Sequence, residues 1–129
     1  MFDYTVTTSA GFDQTVEALR KALTERKFGV LWELDVPSKL NEKGVEYAGP
    51  FRILEVCNPQ KAKEALETNI LAGYFLPCKV VVYSEDGKTK IGMPRPTVLI
   101  GLLGDDRLRQ MAGEVEANLS AALDAAQLS

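Results

Sequence analysis

The hydrophobic positions of this chain change period several times, and each change marks an element. Phe2–Thr8 alternates, with Phe2, Tyr4 and Val6 on one side and Asp3, Thr5 and Thr7 on the other. Period two predicts a half-buried strand. From Phe12 to Lys27 the period becomes helical: Phe12, Val16, Leu19 and Leu23 form one stripe. Asp13 suits the positive end of that helix, and Glu17 and Lys21 form an i,i+4 pair on its wet side. Gly29 closes the segment. Val30–Val36 alternates again, with Val30, Trp32, Leu34 and Val36 on one face and Leu31, Glu33 and Asp35 on the other. Pro37 ends it. Ser38–Gly49 is polar, contains two glycines and reads as a long loop or a loop with a short turn.

Phe51–Cys57 predicts a third strand. Asn58-Pro59 then starts a short helix, because Asn is a good N-cap and Pro fits the first helical position. Its stripe is narrow (Ala62, Ala65, Leu66), it ends near Thr68, and Gly73 marks the turn out. Cys78–Ser84 is a valine-rich fourth strand. Glu85-Asp86-Gly87 turns the chain into a fifth, Lys88–Met93. Pro94-Arg95-Pro96 interrupts. Thr97–Leu103 is apolar, and periodicity does not separate a strand from a buried connector there. Asp105 or Asp106 caps a last helix with the stripe Leu108, Met111, Val115, Leu119, Ala122, Leu123 and Ala126.

These elements predict one α+β domain spanning residues 1–129: a mostly antiparallel sheet with its two long helices on one face. The order is β-α-β(4)-α, with a short helix inserted between strands 3 and 4. The face carrying Trp32, Leu34, Leu54, Val56, Val80 and Val82 is expected to receive the helices. The other face then carries Leu31, Glu33, Asp35, Phe51, Ile53, Glu55, Lys79, Val81 and Tyr83. That mixture has three readings: a plain wet face, a homodimer interface, or a ligand groove lined by Glu33, Asp35 and Glu55. Apolar patches rimmed by charge often mark association. Paired carboxylates suit acid/base work or a hard cation.

Composition narrows the chemistry. With 46% apolar and 26% charged residues, the chain is that of an ordinary globular domain. A chain of this size buries roughly 65–70% of its unfolded surface, enough for a core without staples. The net charge of −3 argues against nucleic acid, which needs concentrated Lys and Arg. No apolar run has the length of a membrane span. MFDYTVTTSAGF lacks a basic region followed by an apolar one, so the expected location is the cytoplasm. The absence of histidine removes Ser-His-Asp and Cys-His catalysis and the commonest metal ligand. No metal site or cofactor is expected from any motif. The glycines of Gly101–Asp106 lack the spacing and the lysine of a phosphate loop.

Both cysteines sit where a strand meets something else. Cys57 precedes the N-cap Asn58. A thiol beside a helix N-terminus can have its pKa lowered, which would make Cys57 a nucleophile or a soft-metal ligand. The plainer reading is a small hydrophobe packing on Ala62 beside a purely structural cap. Cys78 opens the fourth strand and reads as a core residue. The two cysteines lie at the same end of the sheet if strands 3 and 4 are antiparallel neighbours, but strict alternation puts them on opposite faces. Their C-x₂₀-C spacing matches no zinc or thioredoxin pattern.

The Cys57-Asn58-Pro59 junction, followed by Ala62 and Leu66 and then by Gly73-Tyr74-Phe75-Leu76-Pro77-Cys78-Lys79-Val80-Val81-Val82-Tyr83, resembles small prokaryotic proteins classed as domain of unknown function 302. The resemblance implies a TATA-binding-protein-like arrangement and a dimer; it implies no reaction or ligand. The expectation is a binding module, a homodimer through the open sheet face, with any small ligand near Cys57 and Asn58. The candidate site residues are Cys57, Asn58, Cys78, Glu55, Glu33, Asp35 and Lys79. One alternative is a thiol-based redox, soft-metal or cofactor-binding protein using Cys57 with Cys78. A third is an acid/base enzyme using the sheet-face carboxylates.

Overall fold

The computed structural model describes residues 1–128. Five strands form one sheet: β1 (Asp3–Thr8), β2 (Gly29–Asp35), β3 (Phe51–Cys57), β4 (Cys78–Glu85) and β5 (Lys88–Pro94). Their order is β1-β5-β4-β3-β2, and every neighbouring pair is antiparallel. The long helices α1 (Phe12–Glu25) and α5 (Asp106–Gln127) pack together over one face. Between them and the sheet lies a core of Leu19, Leu23, Leu119 and Leu123 against Leu54, Val56, Val80, Val82 and Ile91, all fully buried. The α+β class and the β-α-β(4)-α order agree with the pattern of the sequence.

Local chemistry explains the element ends. Asp86 and Gly87 both have positive φ, 55° and 76°, and make the two-residue link of the β4–β5 hairpin, whose twist favours this conformation. Helix α1 stops earlier than expected. The amide of Phe28 donates to the carbonyl of Leu23 at 2.9 Å, and Lys27, rather than Gly29, takes the left-handed position at φ 67°. Asp105 caps α5, its side chain accepting from the amides of Arg107 and Leu108.

Three segments differ from the sequence reading. The stretch expected to be a long loop begins with helix α2 (Val36–Glu42), where the Asp35 side chain accepts from the Ser38 amide and Pro37 lies in the first turn. The undecided apolar stretch after Pro96 is a short helix, α4 (Pro96–Gly101). The turn around Gly73 is a full 3-10 segment, Ile70–Phe75, started by Asn69, which accepts from the Leu71 amide. It follows α3 (Pro59–Thr68) and leads through a cis Leu76–Pro77 bond into β4.

The fourth difference changes which side chains meet. In the β2–β3 ladder Val30 faces Val56, but Trp32 faces Glu55, so β2 carries an extra residue at Leu31. This bulge inverts the faces of everything after it. Trp32 and Leu34 were expected under the helices; they lie on the open face, opposite Glu55 and Ile53. Trp32 is 57% exposed. Glu33 and Asp35 were expected on the open face; they lie on the helix side, opposite Leu54 and Arg52.

Candidate functional site

The short elements enclose a cavity of about 390 Å³ at the end of the sheet where β3 leaves and β4 enters. Its floor is the strand ends, with Val56, Cys57 and Cys78. Helix α3 and the 3-10 segment form one wall, α4 another, and the inner face of α5 the third. The stripe of α5 shows where the core stops: Leu108, Leu119 and Leu123 are fully buried, whereas Met111 and Val115 are only half-buried. Both line the cavity, as do the half-buried Phe75, Leu76, Leu99 and Ile100.

The space follows from side-chain size. Helix α3 turns Ala62 and Ala65 inward, and it has no fully buried residue. Alanines leave a gap that larger residues would close. Two ion pairs tie the walls to one another. Lys61 reaches across to Glu114 of α5 at 2.5 Å. Glu116 of α5 holds the start of α4, accepting from the Thr97 amide at 3.0 Å and hydroxyl at 2.6 Å and from Arg95 Nε at 3.0 Å. Burial raises the Glu116 pKa, but the Thr97 and Arg95 contacts outweigh it and leave the carboxyl below its ordinary value.

Of the residues singled out in the sequence, five line this cavity: Cys57, Asn58, Cys78, Glu55 and Lys79. Cys78 is the ladder neighbour of Val56, so Cys57 is one position away along β3. Alternation still sends the two thiols to opposite sides of the ladder, yet both border the same space, because the cavity wraps around the strand ends. Both cysteines are free. The reading of Cys57 as an activated thiol needs a lowered pKa, and the shift runs the other way. Burial pushes the thiol up from 9.0. Burial, then the neighbouring Cys57 and Glu55, push Cys78 up to about 11. Both are therefore protonated thiols at neutral pH. Asn58 acts as the N-cap of α3, its Oδ1 accepting from the Lys61 amide at 3.2 Å. Lys79 and Glu55 pair with each other at 2.5 Å.

Glu33 and Asp35 are not part of this site and do not converge with Glu55. Glu33 accepts from Arg20 Nε at 2.5 Å and Nη2 at 2.6 Å, and from Arg52 Nη1 at 3.1 Å. Asp35 lies 3.7 Å from the same Arg52. The Arg52 guanidinium also sits 5.8 Å from the centre of the Phe12 ring. The Arg20 hydrogen bonds, acting against burial, lower the Glu33 pKa. A carboxylate held ionised between two arginines is a poor general acid or base at neutral pH. Among the described residues no group of three or more acidic or cysteine side chains is placed to hold a metal ion.

The family model for the domain of unknown function DUF302 matches residues 4–126. The chain belongs to this family. Among solved structures, a DUF302 protein described as uncharacterised and conserved, from Bacillus stearothermophilus, is similar, with 52% sequence identity and a TM-score of 0.93 over 97% of this chain and 98% of that one. Comparison with curated proteins gives no match. The DUF302 match covers all three walls of the cavity. Sequence reasoning missed α4 and its anchor Glu116. The one available signal was Pro96 after a chain break, a favourable first residue for a helix. Among the described residues no helix is long and apolar enough to cross a membrane.

Proposed function

We propose that this DUF302 protein is a binding module that takes a small molecule in the cavity between β3, β4, α3, α4 and α5. The observation that carries this reading is the cavity itself. Its volume falls in the range of about 300–1,000 Å³ common for ligand pockets, and it combines apolar walls with a few polar groups at one end. Asn58, Lys61, Glu55 and Lys79 supply that polar end. Cys57 and Cys78 contribute neutral thiols, which pack as small hydrophobes. The free thiols suit a reducing, cytoplasmic setting.

The neutral fluorophore 1-aminoanthracene tests the reading. Its emission should rise on mixing with the protein and saturate at one molecule per chain. Bound probe should also slow alkylation of Cys57 by N-ethylmaleimide. Ala65→Phe, which fills the space, should abolish both effects while leaving the circular dichroism spectrum intact. Probe binding that survives Ala65→Phe would place the site elsewhere and sink the proposal.

The partner we propose is a second copy of the chain, docked through the open sheet face. The bulge supports this by replacing two carboxylates on that face with Trp32 and Leu34. They join Phe51, Ile53, Val81 and Tyr83, and the Phe51 and Tyr83 rings stack at 5.5 Å. The β-α-β(4)-α order likewise supports the TATA-binding-protein-like arrangement, in which an open sheet face is left free.

A further inference from the structure

We infer that the cavity selects an uncharged ligand, a short aliphatic or aromatic molecule bearing at most a neutral polar group such as a hydroxyl. The inference rests on the reading of this cavity as a binding site. The charges on the walls and the groups each one already touches carry it. Three ionisable side chains of fixed charge border the space: Glu55, Lys61 and Lys79. Glu55 and Lys79 neutralise each other at 2.5 Å. Lys61 is held by Glu114 at 2.5 Å and lies 3.8 Å from Glu64. Among the described residues each wall charge has a partner of opposite sign, leaving none unpaired for a ligand carboxylate, phosphate or ammonium.

The uncharged polar groups point the same way. The Asn58 carbonyl is committed to the Lys61 amide. The two thiols keep their protons at neutral pH, so neither attracts a cation. The anchor of α4, Glu116, spends its carboxylate on Thr97 and Arg95. A thiol is a weak donor and a weak acceptor, which matches a hydroxyl or thioether better than an ion. Bringing an ion into a space lined by Phe75, Leu99, Ile100 and Val115 removes its water without replacing it, and the cost is large. Tyr74, an uncharged residue of the lining, is 83% exposed.

The test is competition against bound 1-aminoanthracene by three molecules with the same chain: octan-1-ol, octanoate and octylammonium at neutral pH. The alcohol should displace the probe at a concentration lower than either ion by about tenfold or more, since burying an unpaired charge costs far more than burying a hydroxyl. Octanoate or octylammonium competing as well as octanol would overturn the inference and leave the cavity as a site. Failure of the probe itself to bind would remove the underlying reading instead. A second arm uses Glu114→Gln, a residue outside the cavity wall. Freeing Lys61 should improve octanoate by several-fold and narrow its gap to octanol. An unchanged gap would show that pairing of Lys61 is not what excludes anions.

Discussion

At Leu31 one residue without a ladder partner decides the chemistry of a whole strand. The alternation Val30, Trp32, Leu34 fits a strand that buries its apolar side under the helices, and nothing in its spacing distinguishes that strand from a bulged one. Only the partner register reveals the shift, because a one-residue slip exchanges faces without altering the sequence pattern. The three carboxylates that looked like one cluster were therefore not legible as two separate ones. The consequence for Glu33 is structural and testable. Its side chain is 19% exposed and accepts three hydrogen bonds from two arginines. Glu33→Gln should destabilise the fold by about 2 kcal/mol at neutral pH, the scale of a partly buried charge-assisted hydrogen bond. The sign with pH follows from the lowered pKa. The ionised form contributes stability above the unfolded value near 4.5, and the contribution is lost as pH falls through the lower folded value. Urea unfolding at several pH values should show the wild type and Glu33→Gln converging as pH falls below the unfolded value near 4.5. A gap that persists in acid would mean the arginines respond to the shape of Glu33 and not to its charge.

The elements were legible in proportion to their caps and their periods. Asn58-Pro59, Asp105 and the long stripes of α1 and α5 announced themselves, and so did Asp86-Gly87. Helices α2 and α4 are too short to display a period, so only Pro37 and Pro96 hinted at them. That limit falls on the candidate site, because α4 and the 3-10 segment are two of its walls. The floor was readable as Cys57, Asn58 and Cys78, and so were the walls made by α3 and α5; α4 and the 3-10 segment were not. Helix α4 depends on a tertiary contact more than on propensity, since short helices are marginal alone. Glu116 supplies that contact. Glu116→Ala removes acceptors for the Thr97 amide and hydroxyl and for Arg95. It should cost about 1–3 kcal/mol, the penalty for unpaired, partly buried donors. Hydrogen exchange should localise the loss: amides of Val98 to Ile100 should exchange faster, while those in the middle of α1 keep their protection. Uniform acceleration across both helices would show that Glu116 supports the core and not α4 in particular.

At the scale of the molecule, the sheet has one face sealed by α1 and α5 and one face uncovered. Its free edges are β1 and β2. The bulge at Leu31 interrupts the β2 edge, and bulges discourage edge-to-edge pairing by breaking the ladder. Association through the face is therefore better supported than extension of the sheet into a second molecule. The face is apolar across its middle, where Leu34, Ile53 and Val81 stand on adjacent strands, and it is flanked by the Glu55–Lys79 and Lys90–Glu85 pairs. Val81 is on β4, the central strand, so it would sit near the middle of any such interface, where truncations and charges cost most. Val81→Lys places a long side chain, whose charged end can reach water, on a surface that the monomer leaves half open, so folding should survive. It should weaken self-association by about tenfold or more, because an unpaired charge would be buried. Light scattering across a dilution series reads the mass directly. Trp32, the single tryptophan, reports the same event, since it is exposed in the monomer and on the docking face. Ligand-free wild-type protein should show a dimer mass and a red shift of emission on dilution; Val81→Lys should show both at higher concentration. A monomer mass for the wild type at every concentration, with emission that does not move, would refute the interface.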